Sequence, residues 1–153
     1  TTVVVPSLTF TDAMEIDLGD RKVELLHAGP SHTVGSSIVY VPDSKTLFAG
    51  DVLFTNYHPN MRDGDIRGWI KALDVIASMD ATSIIPGHGP LSTKKDVAEM
   101  KSYLVAFDAK VKELLAKSSD PEYIASEVKK ALPARQYFGM FIVSNVKGLY
   151  LKK

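Results

Sequence analysis

Three side chains in this 153-residue sequence combine a donor type with a setting suited to holding a metal ion: His32, Asp51 and His88. The chain has no cysteine, so any metal must be held by His, Asp or Glu. Imidazole nitrogen and carboxylate oxygen are donors that a divalent metal ion accepts. His88 sits in Pro86-Gly87-His88-Gly89-Pro90, where two glycines and two prolines give a rigid loop with little side-chain cover. That is an odd place for a packing residue, whereas loop side chains on a rigid scaffold commonly carry function. Taken singly, His32 and His88 read as loop histidines satisfied by backbone, and Asp51 as a turn or cap residue. Their joint pattern reverses that reading.

The elements that must position them can be read around residues 32–51. Ser37 to Val41 is a β-branched and aromatic run, Pro42 to Lys45 a turn, and Thr46 to Ala49 an apolar strand. A hairpin lays its strands about 5 Å apart, so His32 and Asp51, at its outer ends, return to one edge of the sheet. Ser83 to Ile85 predicts a further buried strand running straight into the His88 loop, which places all three residues at strand ends.

The rest of the chain predicts a sheet followed by helices. Val3–Val5 and Leu8–Phe10 read as short strands around Pro6. Met14, Ile16 and Leu18, then Val23 and Leu25 after the Gly19-Asp20 turn, alternate as in a half-buried hairpin. Residues 26–31 are expected to form a loop leading to His32, and residues 52–65 an irregular, aromatic-rich loop. Asp65 is expected to cap a helix carrying Trp69, Leu73, Ile76 and Met79 on its buried face. Thr93 and Asp96 form a capping-box pattern ahead of an apolar stripe from Val97 to Leu114. Asp120-Pro121 opens another helix, and Phe138, Phe141, Ile142, Val146 and Leu149 suggest a last one. Lys152 and Lys153 are expected to be a solvated tail. The order predicts an α+β fold with helices on one face of the sheet.

Composition excludes some classes of partner. Eighteen basic and eighteen acidic residues give a net charge of zero, and the sequence pI is about 6.8. Neither nucleic acid nor an anionic membrane surface is an expected partner. No apolar run approaches the roughly 20 residues of a membrane span, and no signal-peptide pattern is present. The lack of cysteine does not choose a compartment; a cytoplasmic location is the expectation.

HTVGS at 32–36, FAGD at 48–51 and PGHGP at 86–90, in that order and spacing, resemble the second half of a metallo-β-lactamase superfamily hydrolase. Each string alone is weak; together they cover roughly residues 1–90. The resemblance implies half of an αββα sandwich, with residues 1–90 as core strands and ligand loops and residues 91–153 as C-terminal helices of a single domain. It further implies two zinc ions, with His32 on the first, His88 on the second and Asp51 bridging them, and a metal-bridging hydroxide as nucleophile. The family's HxHxDH motif is absent, and the four histidines His27, His32, His58 and His88 cannot supply it. The expectation is therefore a C-terminal portion of a metallohydrolase, inactive or nearly so by itself and weak in zinc binding. Its uncovered sheet face predicts a homo-oligomer or a missing N-terminal half as partner.

Within the family, the expected reaction is cleavage of an ester, thioester or lactam-like bond in a small-molecule substrate. Phe54 stands where lactone-cleaving members carry tyrosine. FTNYHPN replaces the stretch usual in glyoxalase II enzymes, and Asp51 stands where zinc β-lactamases hold a cysteine. Tyr57 and His58, on the loop after Asp51, are candidates for orienting substrate or donating a proton. His27 reads as a strand-end residue rather than a ligand. The alternative function is a non-catalytic assembly or dimerisation module of the same fold.

Overall fold

The computed structural model describes residues 2–151; Thr1 of the opening run and the Lys152-Lys153 tail lie outside them. One five-stranded sheet has its strands in chain order: β1 (Ala13–Asp17), β2 (Lys22–His27), β3 (Ser37–Val41), β4 (Thr46–Phe54) and β5 (Ser83–His88). The first three pairings are antiparallel hairpins. Between β4 and β5 the chain crosses through helix α1 (Ile66–Ser78), so these two strands pair in parallel. Helices α2 (Lys94–Leu115), α3 (Pro121–Ala131) and α4 (Phe141–Tyr150) follow. This is the α+β order read from the sequence.

The helix starts follow their capping chemistry. The Asp65 carboxylate accepts a 2.6 Å hydrogen bond from the Gly68 N–H at the start of α1. The Thr93 backbone N–H donates to the Asp96 carboxylate at 2.7 Å at the start of α2, and Asp120 accepts from the Glu122 N–H at the start of α3. The end of α1 is closed from outside: the Lys94 ammonium donates to the carbonyls of Ile76 and Ala77, 2.8 Å each, and to that of Met79. It adds to the Met79 N–H, which donates to the Ile76 carbonyl at 3.3 Å, in satisfying the carbonyls of the helix end.

Strand alternation separates the two faces of the sheet. Ile38, Leu47, Ala49 and Ile84 are buried and join Trp69, Leu73 and Ile76 of α1 and the α2 stripe from Val97 to Leu114 in one core. On the opposite face Met14, Leu25, Val39, Phe48 and Ile85 align across all five strands. None of that row is fully buried, and Phe48 is 43% exposed.

Several sequence expectations are corrected. Val3–Val5 and Leu8–Phe10 form no strand; Val3, Val4 and Val5 stand 75–88% exposed, with no ladder to satisfy their backbone and Pro6 breaking the run. Strand β2 extends through His27, where a loop from residue 26 was expected. Strands β4 and β5 are both longer than the apolar runs suggested, because their parallel pairing continues past two register shifts to Phe54 opposite His88. Asp51 therefore lies within β4 rather than beyond its end. Among the described residues no helix is long and apolar enough to cross a membrane.

Candidate functional site

The site forms where β4 and β5 end side by side, and the local backbone explains why Asp51 faces outward. Gly50 adopts φ +50°, a left-handed conformation that glycine enters without side-chain strain, at the point where the β4–β5 register shifts. The strand turns there, and the Asp51 carboxylate emerges 43% exposed. Across from it, a Cβ on Gly87 would stand 2.2 Å from the Asp51 Oδ1. Only glycine lets β5 approach this carboxylate.

Both histidines reach that carboxylate, each at its own oxygen. His32 Nε2 is 3.5 Å from Oδ2, and His88 Nε2 is 3.5 Å from Oδ1. On its other side His32 Nδ1 lies 2.9 Å from the Asn60 carbonyl oxygen. A carbonyl can only accept, so Nδ1 carries the proton and donates. His32 therefore presents its other ring nitrogen, Nε2, toward a carboxylate oxygen, where a cation between them would find one nitrogen and one oxygen donor.

The sequence reading brought His32 and Asp51 to one edge of the sheet, and the resemblance put Asp51 between two ions. Among the described residues no group of three His, Asp or Glu side chains converges as a metal site. Instead the donors form two pairs that share one carboxylate. Each pair suits two positions on a tetrahedral zinc ion, whose N and O ligands at about 2.1 Å lie roughly 3.4 Å from each other. A hydrogen bond would draw the same atoms to about 2.7–2.9 Å. The donors present thus fit two ions, incompletely, with two protein ligands to each.

Aromatic rings hold the imidazoles in place. Phe54 stacks on His88 with centroids 4.8 Å apart and lies 5.9 Å from His32. Trp69 meets His32 edge-on at 5.5 Å while its indole N–H donates to the Val52 carbonyl at 2.7 Å. His27, at the end of β2, lies with Nε2 2.9 Å from the Val34 carbonyl and so ties down the loop that carries His32. It is a positioning residue, as the sequence suggested.

The two substrate-loop candidates separate. The Tyr57 ring lies 6.1 Å from His88, beside the site. His58 is buried, and its Nδ1 is 2.8 Å from the Tyr103 hydroxyl of α2, so it offers no proton to a substrate. Burial, reinforced by the positive charges of Arg135 and Lys129, pushes the His58 pKa down to about 4. The loop turns this side chain inward because Tyr103 supplies the polar partner that a buried imidazole needs.

Residues far along the chain fix that loop, and nothing near the ligand motifs points to them. Arg135 donates to the Phe54 and Tyr57 carbonyls at 3.0 and 2.9 Å, with its guanidinium 4.3 Å above the Tyr103 ring. Asn145 of α4, fully buried, accepts from the Met61 N–H at 2.7 Å and donates to the Pro59 carbonyl at 2.8 Å. Asn60, whose carbonyl orients His32, lies between those two anchors.

The family model described as the metallo-beta-lactamase superfamily matches residues 4–88. A metallo-beta-lactamase type 2 of Bacteroides fragilis is 30% identical over 90 residues, 56% of this chain and 36% of that protein. An acyl-coenzyme A thioesterase MBLAC2 of Bos taurus is 32% identical over 90 residues, 56% of this chain and 32% of its own length. The match thus spans about a third of each of these curated relatives. In fold, a double mutant of the sec-alkyl sulfatase PisA1 superposes with a TM-score of 0.73 at 15% identity, covering 97% of this chain and 28% of that one.

Proposed function

The chain belongs to the metallo-beta-lactamase superfamily, and from that premise we propose that it carries the second-half ligands of a zinc-dependent hydrolase. In this reading His32 and one oxygen of Asp51 hold one ion, and His88 and the other oxygen hold a second. Relatives named as a beta-lactamase and a thioesterase support cleavage of an ester, thioester or lactam-like bond. Bound zinc supplies Lewis-acid activation of water and of the scissile bond. The chain's own residues orient the donors, hold the His32 proton on Nδ1 and exclude water behind the imidazoles through Phe54 and Trp69. Two protein ligands per ion are too few for tight binding, so the remaining donors come from beyond these residues and the chain alone is inactive or nearly so.

The observation that carries this reading is the placing of two imidazole Nε2 atoms, each 3.5 Å from its own oxygen of the Asp51 carboxylate, with the Asn60 carbonyl orienting His32 from behind. The test is zinc content by inductively coupled plasma mass spectrometry with calorimetric titration of the chain, His32→Ala, Asp51→Asn and His88→Ala. Zinc affinity should fall by about tenfold or more in each variant, since losing even a residue that supports a ligand costs that much. Equal zinc binding by all four proteins would refute the assignment.

A second reading rests on the apolar row from Met14 to Ile85. A sheet face of that kind is covered in a stable protein, which favours an assembly module closed by a second copy of the chain or by an N-terminal half. Mass in solution separates the two: a monomer at micromolar concentration argues against self-assembly.

A further inference from the structure

Beside His88 stands a group of rings that the metal chemistry does not use. Tyr57 stacks on Tyr137 at 4.6 Å and meets Phe138 edge-on at 5.1 Å, and Phe138 in turn meets His88 edge-on at 5.4 Å. Tyr137 and Phe138 lie in the connection between α3 and α4, outside the residues that match the family model. Backbone pairing sets them there: the His58 N–H donates to the Tyr137 carbonyl and the Gln136 N–H to the Asn56 carbonyl, so the connection runs along the loop after β4.

Two features separate this wall from ordinary core. Phe138 has φ +65°, a left-handed backbone that is strained for a bulky residue and that clusters at functional positions. The wall is also open: Tyr137 is 45% exposed and nearby Met140 70% exposed. The side chains that build it, Tyr57, Tyr137, Phe138 and Met140, carry no charge at neutral pH.

We propose that Tyr57, Tyr137 and Phe138 form the specificity wall of the site and bind an aliphatic acyl or alkyl chain attached to the scissile group. This rests on the hydrolase reading above, and it names the substrate class of that same site. An uncharged aromatic surface beside the ligands gains from burying methylenes and gives nothing to a charged substituent. The segment carrying Tyr137 and Phe138 is thus a specificity element added to the metal-ligand scaffold.

The test compares hexanoate with acetate, both sharing the carboxylate head. Each is titrated into the chain with and without zinc and followed by NMR at the Tyr57, His88, Phe138 and Gly139 signals. Each fully buried methylene contributes roughly fourfold in affinity, so hexanoate should bind at least about tenfold more tightly than acetate. Phe138→Gly removes the ring while suiting the left-handed backbone, and Tyr137→Ser changes an exposed side chain, so neither threatens folding. Both should reduce the ratio of hexanoate to acetate affinity severalfold. No preference in the wild type, or a preference untouched in both variants, overturns the proposal. Loss of zinc binding with the chain-length preference intact would instead sink the metal assignment and leave the wall standing.

Discussion

At the scale of single residues, the site depends on groups that hold the donors as much as on the donors. Asn145 is the clearest case, with two buried hydrogen bonds to the segment around Asn60. Asn145→Leu should cost on the order of 2–3 kcal/mol, because it strands a buried N–H and a buried carbonyl. It should also weaken zinc binding by about tenfold by freeing the carbonyl that orients His32. Thermal unfolding and calorimetric titration read the two effects separately. His58 sets the acid limit of stability. Its folded pKa is lowered to about 4 from an ordinary 6.5, so the neutral form is the one that folding favours. Its stabilisation is complete above about pH 6.5 and is lost as the pH falls from there through about 4, a change on the order of 3 kcal/mol. In His58→Gln, denaturant unfolding should lose much of that dependence. That His32, Asp51 and His88 come together was legible from the strand runs that lead into them. Asn145 and Arg135 were not, since their roles exist through contacts with residues far earlier in the chain, and Phe138, read from the sequence as part of the last helix, stands ahead of α4 instead.

At the scale of elements, the connection from β4 through α1 to β5 sets the geometry, and its joints are polar. Lys94 belongs to α2 yet closes the end of α1. Lys94→Met should destabilise the fold by roughly 1–2 kcal/mol, because the α1 carbonyls lose the ammonium donor while the aliphatic packing is kept. Chemical denaturation is the direct measure. Helix starts were readable from Asp65, Thr93 and Asp120, because capping is a local side-chain signal. Strand ends were not. Sequence periodicity stops at Ala49, whereas β4 runs on to Phe54, since its partner β5 decides where pairing ends. Val3–Val5 failed in the opposite sense: β-branched side chains favour a strand only where a neighbour supplies the ladder.

At the scale of the whole molecule, the sheet is finished on one face only. Phe48→Lys places a charge in the middle of the apolar row without disturbing the core. It should leave unfolding free energy within about 0.5 kcal/mol while abolishing any self-association seen by sedimentation. The hydrogen bonds that tie the loop after β4 to the C-terminal segment have a further consequence, for the order of folding. They join residues separated by 81, 84 and 86 positions along the chain, whereas the hairpins and the α1 crossover close much shorter loops. Contacts of long sequence separation carry the larger loop-closure entropy and form late. Refolding should therefore bury Trp69 first, seen as a change in its fluorescence, and acquire zinc affinity only in a slower, later phase. The donors are in place early; the frame that aims them arrives last.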